Sequence, residues 1–83
     1  TFVLYPTPAN NNLIIEFNSN FNLDNTHIEI YDISGRQLYS KIERGSKRMY
    51  IPVSDLANGI YYLKITSDNK TWNKKIMVLK KYL

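Results

Sequence analysis

The sequence predicts an all-β domain, an immunoglobulin-like antiparallel β-sandwich of about seven strands, and three observations carry that expectation. Short stretches of alternating apolar and polar residues recur at roughly ten-residue intervals, as a two-sheet sandwich requires. No segment sustains a helical apolar period. The third observation is Ser54 to Ile65, Ser-Asp-Leu-Ala-Asn-Gly-Ile-Tyr-Tyr-Leu-Lys-Ile, a polar turn that runs without a break into an alternating strand. Asn58-Gly59 supplies a position that tolerates positive φ, because glycine has no Cβ to clash there. Beyond it, Tyr61, Leu63 and Ile65 share one face while Ile60, Tyr62 and Lys64 share the other. The order Leu56, Gly59, Tyr61, Leu63 matches the corner of an immunoglobulin-type sandwich, where a tyrosine at the start of a strand turns its hydroxyl onto the backbone of the preceding loop. Tyr61 is expected to plug one end of a cysteine-free core, with Leu63 where an antibody domain carries a disulfide cysteine; an ordinary half-buried strand tyrosine is the alternative.

The remaining elements follow in chain order. Phe2 to Tyr5 is a short apolar run stopped by Pro6-Thr7-Pro8, which reads as an edge strand entering a stiff bend. Leu13 to Phe17 alternates, with Leu13, Ile15 and Phe17 on one face. Asn18 to Thr26 is a polar connection; Asp24 among alternating asparagines is too little for a calcium loop, which needs more carboxylates and a glycine at the tight turn. His27 to Ile33 is the third strand, with Ile28 and Ile30 inward. Asp32-Ile33-Ser34-Gly35 then places Asp first and Gly last in a type I turn, and a hairpin follows. The fourth strand runs from about Arg36 to Glu43, and Arg44 to Lys47 is a second turn. Met49, Ile51 and Val53 form the inward set of the fifth, and Pro52, lacking an N–H, puts that strand at an edge or at its end. Ser67 to Lys70 makes the last turn, and Trp72 to Leu79 is the seventh strand, with Ile76 and Val78 inward.

Eighty-three residues make one domain, 1–83, with room for one core and no deep cleft. A chain of this length buries only about 60 to 65% of its unfolded surface. No stretch approaches the roughly 20 apolar residues of a membrane span. Zero cysteines exclude disulfides and thiolate metal sites and leave the compartment open. The formal charge of +4 favours anionic partners in general terms, but the basic residues are spread over several segments.

Little in the chain points to chemistry. His27 is the only histidine, so no site with two imidazoles can form, and no metal or cofactor is expected. Ser34, His27 and Asp32 could be nominated as a triad, yet the nucleophile-elbow pattern is missing and no catalytic residue is assigned. Glu16, Glu29, Glu43, Asp32, Asp55 and Asp68 are read as lying on solvent faces or in turns. The three glycines all sit in turns, so no phosphate-cradling loop exists. Lys70, Lys74, Lys75, Lys80 and Lys81, interleaved with Trp72 and Tyr82, are the nearest thing to a nucleic-acid surface, but strand-edge lysines have the plainer role of blocking edge-to-edge pairing. Tyr39, Tyr50, Tyr62 and Trp72 lie on strands, and a row of outward rings would suit either sugar stacking or protein contact. Asn69-Lys70-Thr71 matches a glycosylation acceptor on three residues alone.

Four blocks together resemble a known family. They are Tyr5-Pro6-Thr7-Pro8-Ala9-Asn10, Ile30-Tyr31-Asp32-Ile33-Ser34-Gly35-Arg36, Val53 to Ile65, and Lys74-Lys75-Ile76. In that order and spanning nearly the whole chain, they look like the C-terminal sorting domain, type A, of cargo proteins for the type IX secretion system of Gram-negative bacteria, the Por secretion system tail domain. Two departures stand out: Thr7 replaces the usual Asn between the prolines, and Lys81-Tyr82-Leu83 extends past the common ending. The resemblance implies a non-catalytic immunoglobulin-like domain at the C-terminus of a longer protein, with Thr1 just after the junction with its passenger and Lys80 to Leu83 as a natural end. It implies an address read by the outer-membrane translocation machinery, transit through the periplasm, removal by a sortase-like protease, and a cargo left at the cell surface or secreted. Carried over by position, the signal residues are Pro6, Pro8, Ala9, Asp32, Gly35, Arg36, Leu56, Gly59, Tyr61 and Lys75. Most of them serve the structure, since prolines and glycines set turns, Asp32 holds one, and Leu56 and Tyr61 fill the core. Arg36 and Lys75 are not needed for packing and are the candidates for receptor contact. The competing reading is a carbohydrate-binding or spacer sandwich appended to a secreted enzyme.

Overall fold

Alternation along the chain becomes seven strands in a computed structural model that describes residues 2–18, 25–44 and 47–80. They are β1 (Phe2–Tyr5), β2 (Asn12–Phe17), β3 (Thr26–Tyr31), β4 (Gln37–Glu43), β5 (Arg48–Pro52), β6 (Gly59–Ser67) and β7 (Lys70–Val78). Two antiparallel sheets form, one ordered β1-β2-β5 and the other β4-β3-β6-β7. The fold is an all-β sandwich. Side chains from alternate positions meet between the sheets: Leu13, Ile15 and Phe17 from β2, Ile28 and Ile30 from β3, Met49 and Ile51 from β5, Tyr61, Leu63 and Ile65 from β6, and Ile76 and Val78 from β7. These inward sets are the ones period two predicts, because one face of each strand must leave water while the other need not. Pro52 closes β5, which is indeed an edge strand.

The prolines do more than bend the chain. Tyr5–Pro6 and Thr7–Pro8 are both cis, and the segment they shape leaves the three-stranded sheet and reaches the other one. There Ala9 is buried and bridges Val78: its N–H donates to the Met77 carbonyl at 2.9 Å and its carbonyl accepts the Leu79 N–H at 2.9 Å. One alanine thus ties the start of the chain to the edge of the opposite sheet.

Three expectations need correction. Strand β3 ends at Tyr31 rather than Ile33, and Ile33 is 77% exposed at the tip of the following turn. The Asp32 carboxylate captures the N–H groups of Ser34 and Arg36, which ends the ladder early. Strand β7 begins at Lys70, so the hairpin from β6 has only Asp68 and Asn69 at its tip, with Asp68 at φ 54°. Glu29, read as facing solvent, is only 8% exposed. Its Oε2 accepts both the Tyr31 hydroxyl at 2.5 Å and the Gln37 amide at 3.1 Å, and these neighbours cover it. Most of the polar connection after Asn18, part of the Arg44 to Lys47 turn, and Lys81 to Leu83 lie outside the described residues.

Candidate functional site

The cross-strand register carries the four sequence blocks to one end of the sandwich. Tyr31 stands opposite Tyr62, and Tyr62 opposite Lys75, in one row across the sheet. Three residues toward the end, Gly59 stands opposite Val78, which Ala9 bridges. Asp32 and Ile33 border the same shallow depression as Asn58, Gly59 and Ile60. Blocks up to seventy residues apart in the chain therefore share one end of the molecule.

Within that end, the β3–β4 turn is built on Asp32. Its Oδ1 accepts the Ser34 N–H at 2.9 Å, the Ser34 hydroxyl at 2.6 Å and the Arg36 N–H at 3.0 Å, while Oδ2 lies 3.3 Å from the Arg36 guanidinium. The Ser34 hydroxyl first, then the Arg36 amide, hold the carboxyl below the usual aspartate range. Gly35 closes the turn at φ 91°, donating its N–H to the Asp32 carbonyl at 3.0 Å. A side chain there would meet no neighbour within 4 Å, so the requirement for glycine is torsional.

The β5–β6 corner is pinned in the same manner. The Leu56 N–H donates to the Val53 carbonyl at 3.0 Å, and Leu56 packs against the core. Tyr61 is buried and its hydroxyl donates to the Ala57 carbonyl at 2.6 Å, the corner bond expected from the sequence. Asn58 Oδ1 accepts the Lys80 N–H at 2.8 Å, and the Lys80 ammonium reaches the Ser54 carbonyl. Backbone groups that would otherwise go unpaired in a loop this tight are met by these side chains.

Of the expected signal residues, Ala9, Leu56 and Tyr61 point into the core, Asp32, Gly35 and Gly59 shape turns, and Pro6 and Pro8 lie exposed on the crossing segment. Arg36 and Lys75 are exposed at this same end but are not brought together. Arg36 lies in the turn just before β4 and Lys75 on β7, at opposite edges of the β4-β3-β6-β7 sheet, three strand spacings or about 14 Å apart across it. Lys75 has no carboxylate in ion-pair range among the described residues, whereas Arg36 holds Asp32.

Between them lies a surface that the sequence reading did not single out. Ile60 and Met77 are cross-strand partners, 40% and 49% exposed, and Tyr62, opposite Lys75, is 44% exposed. Ile60 also borders a second shallow depression with Thr7, Pro8, Lys75 and Met77. The signal for it was present in the alternation itself, which puts large apolar residues at outward positions of β6 and β7.

The chemical readings do not assemble. Ser34 bonds Asp32, but His27 sits at the far end of β3, its Nε2 at 2.8 Å from the Ser40 hydroxyl and its Nδ1 at 3.6 Å from Glu29. Among the described residues no three His, Asp or Glu side chains converge on a metal-sized site. The aromatics form no row: Trp72 is half-buried edge-on to Phe2 at 6.1 Å between ring centres, Tyr39 packs against the core, and Tyr50 and Tyr62 belong to different sheets. Among the described residues no helix is long and apolar enough to cross a membrane.

Comparison with known families finds that residues 3–79 match the secretion system C-terminal sorting domain. No curated protein matches the chain.

Proposed function

The chain belongs to the secretion system C-terminal sorting domain family, whose members are C-terminal sorting signals for type IX secretion, and from that premise we propose how this one works. Residues 1–83 act as one non-catalytic address domain on an N-terminal passenger. The passenger crosses the periplasm, the outer-membrane translocation machinery reads the address, a sortase-like protease removes it, and the cargo remains at the cell surface or is released. The family match over residues 3–79 carries this reading. The convergence of the four blocks at one end of the sandwich supports it, since a signal read by another protein needs its parts on one accessible region. Asp32, Gly35, Leu56, Gly59, Tyr61 and Ala9 shape that region, Pro6 and Pro8 aim the segment leading into it, and Arg36 and Lys75 touch the receptor.

Fusing residues 1–83 to a periplasmic reporter in a host that has the machinery tests the proposal. Export of the reporter is expected, with a weaker signal for Arg36→Ala and Lys75→Ala. Retention of the unsubstituted fusion inside the cell would overturn it.

A further inference from the structure

We infer that the outward face of β6 and β7 at the block-bearing end, centred on Ile60, Tyr62, Lys75 and Met77, is the surface that docks an acidic, apolar-centred patch on a protein of the export machinery. This rests on the sorting-signal reading and names the partner surface within it.

Two observations carry the inference. The first is the distribution of exposed apolar side chains. Ile33, Ile60, Tyr62, Met77 and Leu79 are all at least 40% exposed, and all lie at this end of the four-stranded sheet. Ile60 faces Met77 directly, and both shallow depressions at this end share Ile60 as a wall. Apolar side chains gathered at the end that carries the signal blocks mark a contact site better than the same residues scattered singly. The tyrosine adds a polar tip to an apolar body, a combination favoured at protein interfaces.

The second is charge. At their outward positions β6 and β7 carry Lys64 and Lys75 and no carboxylate, Lys70 and Lys74 sharing the other side of β7 with Ile76 and Val78. Lys64 stands opposite Glu29, which Tyr31 and Gln37 also hold, and Asp32 is held by Ser34 and Arg36, whereas Lys75 stands opposite Tyr62 and faces no carboxylate among the described residues. An apolar centre with the unmet Lys75 ammonium beside it complements an apolar centre with a carboxylate at its rim. A second copy of this chain does not fit, because two such faces would set lysine against lysine.

The test uses the reporter fusion in the type IX host. Ile60→Ser with Met77→Ser, and separately Lys75→Glu, are compared with Val3→Thr with Tyr50→Ser on the opposite outward face. Exported reporter is expected to fall about tenfold or more for the first two and to stay unchanged for the third. Circular dichroism melting of each purified fusion establishes that it is folded, and Lys75→Glu, a purely surface change, keeps the test decisive if the double serine variant unfolds. Retention of the unsubstituted fusion would sink the sorting reading itself. Export of the unsubstituted fusion together with equal export of every folded variant would overturn the docking surface alone. Dimerisation of the fusion, or its sedimentation with vesicles of phosphatidylethanolamine and phosphatidylglycerol, abolished by the face variants would also overturn it, by assigning the face to a second copy or to lipid.

Discussion

The two outward faces of the sandwich differ most at the end that bears the signal blocks. On the β1-β2-β5 face, the Tyr5 hydroxyl donates to Glu16 at 2.5 Å and Arg48 lies 3.2 Å from the same carboxylate, so the charged groups answer one another. On the β4-β3-β6-β7 face, the end bearing the signal blocks sets Ile60, Tyr62 and Met77 beside a lysine that no carboxylate meets among the described residues. The first face answers its charges internally, although Val3 and Tyr50 stay exposed on it. Because alternate residues of one strand serve core and surface separately, the second can be changed without disturbing the packing beneath it.

Strand β6 offers the most forceful way to break that separation. Leu63→Ala removes a fully buried side chain and is expected to cost about 2 to 5 kcal/mol of folding stability. Tyr62→Ser, its immediate neighbour on the outward side, should cost less than about 1 kcal/mol. Urea titration of both variants measures the difference, and equal losses would mean the outward ring is part of the core. Gly35→Ala comes next: at φ 91° an alanine costs roughly 1 to 2 kcal/mol in torsion although no atom crowds it, which the same titration would register. Tyr61→Phe keeps the ring and deletes the bond to Ala57, for an expected loss of about 1 kcal/mol.

Acid sharpens the comparison of the faces. The Tyr31 hydroxyl holds the Glu29 carboxyl below the ordinary 4.5, so Glu29 contributes stability above that pH and loses it as the pH falls through its lower folded value. Glu16, lowered chiefly by the Tyr5 hydroxyl, behaves with the same sign, but its side chain is 40% exposed and solvent weakens its contribution. Following the urea midpoint downward from neutral pH, Glu29→Gln should flatten the acid loss more than Glu16→Gln. The reverse order would show that the more exposed pair dominates.

Much of this architecture could be read from local chemistry. The inward sets of β2, β5 and β6 follow from strict alternation of β-branched and large apolar residues, and the Tyr61 bond to Ala57 follows from Leu56, Gly59 and Tyr61 at their spacing. What could not be read depends on partners supplied by register. Glu29 is covered by Tyr31 two residues on and by Gln37 from the neighbouring strand. Leu38 slips out of the β3–β4 ladder between Tyr39 and Gln37, a bulge that lets both Leu38 and Tyr39 pack against the core. The candidate surface was half legible: Ile60, Tyr62 and Lys64 were placed outward, but only the pairing of β6 with β7 shows Ile60 and Met77 side by side.

The bridge from Ala9 to Val78 has a mechanical consequence. A pull on the chain ahead of Phe2 loads β1, a four-residue edge strand, and can peel it from β2 one rung at a time. The peeling meets a stop at Ala9, where two hydrogen bonds hold the chain to the far sheet and the alanine itself is buried. Force arriving from a tethered neighbour is therefore taken up by a sacrificial first strand before it reaches the joint that keeps the two layers closed.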